Sequence, residues 1–349
     1  MKNCVEADQP EQTRQHYFDF LRVFAAFAVM ILHVSAENWL TADVYSLEWG
    51  IMNFYDSLVR WAVPVFVMIS GALFLSRDIT LKKIVSKYIF RIFTAFLFWS
   101  FIYAFDYYAK HRNVMGAIAF FVKGSYHLWF LFMITGLYLI IPFVKKIAES
   151  ASLAKYFLLL AFISAFIIPE LVQIISLFSE KYGLFAENVF NKFSLNFVTG
   201  FTSYFLLGYL LSKVYISHNA ERLIYTAGII GFILTILMSL CASRFKGEPF
   251  MGFYDYYNVN VLCEGIAVFV FFKAKFNRSV KIIRLLSQYS FGAYLVHVAV
   301  IMLLLRLGLN SLTFNPIISI PVISVIVFVI SFSISAVLNN IPVLKRYIV

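Results

Sequence analysis

Long apolar runs separated by short polar connections dominate the chain, over roughly residues 17 to 36, 51 to 75, 84 to 107, 128 to 144, 153 to 177, 195 to 211, 223 to 242, 256 to 272, 290 to 307 and 317 to 338. Most hold about 17 to 25 residues, the length a helix needs to cross a hydrocarbon layer of about 30 Å. Each span must satisfy its backbone polar groups internally, and the runs lack the dyad alternation of a lipid-facing barrel strand. The pattern predicts an all-α polytopic membrane protein of about ten transmembrane helices. One membrane domain covers 17–340, between a polar N-terminal tail over 1–16 and a short C-terminal tail over 341–349. No loop is long enough for a separate soluble domain, and no internal repeat is evident.

Composition agrees: 62% of the 349 residues are hydrophobic and only 13% charged, which excludes an ordinary soluble protein. The net charge of +11 would suit nucleic acid if the cations formed one patch. They flank the apolar runs instead, as cytoplasmic membrane flanks do, so no nucleic-acid partner is expected. Counted by connection, the N-terminal tail, the even-numbered loops and the C-terminal tail carry 19 Lys and Arg against 8 in the odd-numbered loops. The asymmetry places both termini in the cytoplasm. The first outer loop carries Glu37, Asp43 and Glu48 and no Lys or Arg. Cys4, Cys241 and Cys263 have no metal-type spacing and read as free thiols, and no metal site is expected. The first span lacks a cleavage site and reads as a retained anchor.

Ionisable side chains inside a span are costly and face a bundle interior or a wet cavity. In the first span Asp19, Arg22, His33 and Glu37 fall on one helix. Arg22 and His33 are eleven residues apart, about three turns, so they share a face and stand roughly 16 Å apart along the axis. Arg22 is either a snorkelling flank or a channel residue, and His33 either an interhelical hydrogen bond or a base. Arg60, in the outer half of the second span, either approaches His33 or pairs with the outer-loop acids. Pro64 can open a kink, and Ser70-Gly71 can permit close helix packing or a polar contact to ligand. His127 and Trp129 begin the fourth span at its outer side, Glu264 lies in the eighth, and Tyr294 and His297 lie in the ninth. Glu264 either pairs with an Arg such as Arg22 or stays protonated as an acid. Lys82, Lys83, Lys87 and Arg91 enter the third span from the cytoplasmic side, as flanking charges or as phosphate ligands.

Taken in order, Phe18-Asp19-Phe20-Leu21-Arg22 with His33, Val63-Pro64-Val65-Phe66 with Ser70-Gly71, His127-Leu128-Trp129-Phe130-Leu131 and Gly292-Ala293-Tyr294-Leu295-Val296-His297 resemble the acyltransferase-3 family of membrane proteins. The resemblance covers essentially the whole chain and is closest to the short ten-span members, such as the O-acetyltransferase of enterobacterial common antigen. It departs in the third span, where the family often has two arginines three apart and this chain has Lys87 and Arg91 four apart. The resemblance implies a bacterial inner-membrane enzyme that transfers an acyl group, usually acetyl from cytoplasmic acetyl-CoA, to a hydroxyl of a surface polysaccharide or its undecaprenyl-linked precursor. It implies His33 and Arg22 as catalytic and Lys87 and Arg91 as donor ligands. Asp19, Arg60, Ser70, His127, Trp129, Glu264, Tyr294 and His297 are candidates for the substrate path. His33 acts either as general base or through an acyl-histidine. Rival readings are a transporter or flippase for a lipid-linked glycan, a polyprenyl-phosphate glycosyltransferase using the outer-loop acids, and a scaffold whose buried ions only pin helices.

Overall fold

The computed structural model describes residues 15–195 and 200–349; Lys2, Cys4 and Arg14 lie outside the described residues, as does most of the polar N-terminal tail. The first crossing is α1 (Tyr17–Ala36), and the second is a broken helix, α2 (Leu47–Val59) and α3 (Ala62–Leu75). The third joins α4 (Leu81–Lys83), a π-helical stretch Ile84–Ile89 and α5 (Phe90–His111), and the fourth α6 (Val114–Lys123) and α7 (Trp129–Leu139). After α8 (Ile141–Glu149), the fifth runs through α9 (Ala151–Ala161) and α10 (Ile168–Phe178), against which α11 (Glu180–Asn191) packs. Then follow α12 (Phe201–Lys213), α13 (His218–Lys246), α14 (Val259–Lys275), α15 (Lys281–Arg306), α16 (Pro316–Asn339) and α17 (Pro342–Tyr347). No strand occurs among the described residues. The protein is thus an all-α polytopic membrane protein.

Nine helical stretches among the described residues are long and apolar enough to cross a bilayer. The sixth apolar segment corresponds to α12, whose 13 residues span about 20 Å; residues 196–199 just before it lie outside the described residues. At one end of α12 the Tyr204 hydroxyl donates to the Tyr256 carbonyl at 2.6 Å, and at the other Lys273 Nζ donates to the carbonyls of Leu211 and Val214, both at 2.6 Å. It therefore runs between the two ends of the bundle beside α3.

Prolines set the breaks. Pro64 has no N–H for the Arg60 carbonyl, so α2 stops at Val59 and helical bonding resumes with Val65 N–H to Trp61 at 3.0 Å. Pro321, inside α16, frees the Ile317 carbonyl, which accepts the Tyr55 hydroxyl at 3.0 Å. Close packing relies on glycine where α3 crosses α12. A Cβ on Gly71 would strike the Phe205 backbone, and one on Gly208 the Met68 backbone, so the two helices meet backbone to backbone. Gly292 instead leaves room for the side chains of Ser335 and Val349.

α1 is the hub, buried along most of its length and packed on α2, α3, α14, α15 and α16. At one end of the bundle the His16 N–H bonds Asn277 Oδ1 at 3.2 Å, and Lys145 bonds the Arg77 carbonyl at 3.1 Å and pairs with Asp78. At the opposite end Asn38 bonds Ser311 at 2.8 Å and the Tyr45 hydroxyl bonds the Arg244 carbonyl at 2.9 Å. The segment 341–349, expected as a tail, forms α17 and docks on α5: Arg91 and Thr94 bond the Val349 and Tyr347 carbonyls, and Trp99 Nε1 donates to Ile348 at 3.3 Å. Cys241 and Cys263 are free thiols.

Candidate active site

A cavity of about 890 Å³ runs along the face of α1. Arg22 and His33 both line it, as their three-turn spacing predicts. Its first half, at the basic end of the bundle, is walled by Asp19, Arg22, Arg77, Arg91 and Lys213; its second half by His33, His127, Trp129, Tyr256 and Tyr294. One end therefore presents four cations and one carboxylate, and the other imidazole and aromatic rings.

In the basic half, Tyr138 stands among Ser70, Arg22, Tyr88 and Arg91. The Ser70 hydroxyl donates back to the Phe66 carbonyl at 2.9 Å and lines the cavity. Arg91 holds the Val349 carbonyl, and its guanidinium lies 5.4 Å from the Phe291 ring centroid. Lys87 is exposed and is not part of the cavity wall, whereas Tyr88, three residues before Arg91, is.

In the other half three histidines from three helical elements converge. His33 of α1 stacks on His297 of α15 with ring centroids 5.1 Å apart, and His127, in the turn before α7, meets His297 edge-on at 5.1 Å. Tyr126 approaches the His33 ring edge-on at 5.2 Å. Tyr294 joins two of the histidines: its hydroxyl donates to the His127 carbonyl at 2.5 Å, and its own carbonyl contacts His297 Nδ1. A carbonyl only accepts, so His297 carries its hydrogen on Nδ1. Tyr103 supports the cluster, donating to the Leu295 carbonyl at 2.8 Å and accepting the Ala299 N–H at 3.2 Å. Among the described residues no group of histidines, cysteines or carboxylates has the arrangement to hold a metal ion. Trp129 and Tyr256 stack with centroids 5.9 Å apart on the same side of the cavity.

Arg60 and Glu264 stand outside the cavity wall, in a polar network joining α2, α13 and α14. Arg60 pairs with Asp56 one turn back at 2.6 Å, both buried, and lies 3.9 Å from the Tyr254 ring centroid. It is also within Coulombic reach of His33, so its partner is neither His33 alone nor the outer-loop acids. Glu264 accepts the Thr235 hydroxyl at 2.5 Å, and Asn260 donates to the same hydroxyl at 2.7 Å. Sequence reasoning missed Asp56, Tyr88, Tyr103, Tyr126 and Tyr138. Tyrosines are common in this chain, and only the fold distinguishes Tyr88 and Tyr138, which line the cavity, and Tyr103 and Tyr126, which pack around the histidines.

A family model for an acyltransferase domain matches residues 15–336. No curated protein and no solved structure matches the chain. The matched stretch holds every cavity residue named above and nearly all of the helical bundle, so the chain belongs to the acyltransferase-3 family and is a multi-pass membrane acyltransferase.

Proposed function

We propose that this protein is an O-acetyltransferase of the bacterial inner membrane, taking acetyl from cytoplasmic acetyl-CoA and placing it on a hydroxyl of a surface polysaccharide or its undecaprenyl-linked precursor. The observation that carries the reading is one continuous cavity joining a basic end to a histidine cluster. The basic end carries the cation excess that marks a cytoplasmic face. A CoA thioester has its phosphates and its reactive carbon separated by a long flexible arm. Arg22, Arg77, Arg91 and Lys213 suit the phosphates, with guanidinium groups offering forked donors. The arm then lies along α1 and brings the thioester to His33, roughly 16 Å further on.

His33 serves as general base: a neutral imidazole accepts the proton of the acceptor hydroxyl as its oxygen attacks the thioester carbon. The carbon–sulfur bond breaks, and the thiolate takes the proton from His33. Trp129 and Tyr256 offer an aromatic wall beside the base for the acceptor. The likeness to short ten-span O-acetyltransferases supports a lipid-linked oligosaccharide as that acceptor.

Membrane vesicles exposing the basic end test this directly. With acetyl-CoA outside and lipid-linked oligosaccharide in the bilayer, thiol release and acetylated glycan should appear together. A transporter would move glycan with no thiol released, and that result would overturn the reading.

A further inference from the structure

A helix leaves the main-chain oxygens of its last turn without helical partners, and past α17 these include the oxygens of Tyr347, Ile348 and Val349. Three side chains of α5 donate to them in turn: Thr94 to Tyr347 at 2.6 Å, Trp99 Nε1 to Ile348 at 3.3 Å, and Arg91 to Val349. The Phe90 and Tyr347 rings meet edge-on with centroids 6.2 Å apart, and Val349, 1% exposed, takes the room beside Gly292 of α15. The segment therefore ties α5 to α15 where Arg91 and Phe291 both enter the cavity wall. Of its three donors on α5, only Arg91 lines the cavity. An arginine has a long flexible stem and a planar fork of N–H groups, so fixing one N–H on a stationary oxygen fixes the plane of the others.

We infer that the segment 342–349 is a positioning strap for the donor subsite: by holding one N–H of Arg91 on the Val349 main-chain oxygen, it aims the rest of the guanidinium at the phosphates of the donor. The inference rests on the acyltransfer reading, in which Arg91 helps to hold acetyl-CoA. A guanidinium already held in place loses little further freedom when a phosphate arrives, so the strap strengthens donor binding. The chemical step takes place at His33, in the other half of the cavity, and is unaffected by the strap. Thr94 and Trp99 touch no donor atom. They hold the strap, the strap holds Arg91, and both are positioning residues.

The test uses the full chain in proteoliposomes, following thiol release at varied acetyl-CoA with a lipid-linked acceptor present and folded protein matched by detergent melting. Two variants release the strap by different routes: removal of residues 342–349, and Thr94→Val combined with Trp99→Phe, which takes away two of its donors and keeps the side-chain shapes. Each should raise the acetyl-CoA KM about three- to tenfold, with kcat within about twofold. In an Arg91→Ala background the contact is already gone, and the same changes should raise KM by less than about twofold more. Should the shortened chain fail to fold, the Thr94→Val, Trp99→Phe pair makes the comparison alone. An unchanged KM overturns the assignment, as does a loss confined to kcat or a rise in KM as large without Arg91 as with it. A wild type that releases no thiol overturns the acyltransfer reading and this assignment with it, whereas an active wild type whose donor KM ignores the strap overturns the assignment alone.

Discussion

Arg91 and Lys87 are four residues apart on one stretch of chain, yet only Arg91 reaches the cavity. Their substitutions should therefore separate. Arg91→Ala should raise the KM for acetyl-CoA about tenfold or more, a charge-assisted hydrogen bond being worth about 1.5–3 kcal/mol, while Lys87→Ala should leave it within about twofold. Thiol release at varied acetyl-CoA measures both, and equal effects would contradict the placement of Lys87. The difference was not legible from spacing, because the π-helical stretch Ile84–Ile89 displaces the register that a straight α-helix would give. Arg22 and His33 were legible for the opposite reason: they lie on one uninterrupted helix whose period fixes their common face. The convergence of His127 and His297 on His33 brings together three helical elements far apart in the chain, and no local period encodes it.

The breaks and crossings of the helices follow from a few residues whose chemistry is plain in the sequence. Pro64 announces the break between α2 and α3, and Gly71 the close approach that α12 completes with Gly208. Gly71→Leu should destabilise the bundle by about 1–3 kcal/mol or more through overpacking, seen as a lower melting temperature and less folded protein in detergent. Wild-type melting in that variant would contradict the backbone contact. The ion pair within α2 and its cap makes a second test. Arg60→Ala strands the buried Asp56 carboxylate and should cost about 3–5 kcal/mol, whereas Asp56→Ala with Arg60→Ala should recover part of it. Recovery of folding would mark the pair as structural; a double variant no more stable than Arg60→Ala would contradict that. Asp56 escaped notice because an apolar run draws attention to its cation and away from a carboxylate one turn back. The span count depended on α12, because hydropathy joins residues 195 to 211 into one run while the described helix covers Phe201–Lys213.

At the scale of the whole molecule, two connections at the end remote from the basic face are tied through Glu37, which accepts the Ser311 N–H at 3.1 Å. Burial lifts its carboxyl from 4.5 to about 7, with the Ser311 bond opposing. Because the folded state holds this proton more tightly than the unfolded chain does, the stability it contributes is present below about pH 4.5 and is lost as pH rises through about 7. Wild-type melting temperature should fall across that window, and Glu37→Gln should flatten the fall; an unchanged profile in the variant would remove Glu37 as the cause. The all-α membrane architecture was legible from hydropathy alone, since lipid leaves a spanning chain few alternatives. The cavity along α1 was not, because its walls come from helices that only the packing brings together.

The central claim is that this cavity transfers acetyl through His33 to a surface glycan. Its most direct test is NMR of the surface polysaccharide from cells lacking the protein, complemented with wild type or His33→Ala at matched membrane abundance. O-acetyl signals restored by wild type and not by His33→Ala are the predicted result. O-acetyl signals restored equally by both, or unchanged by loss of the protein, would contradict it.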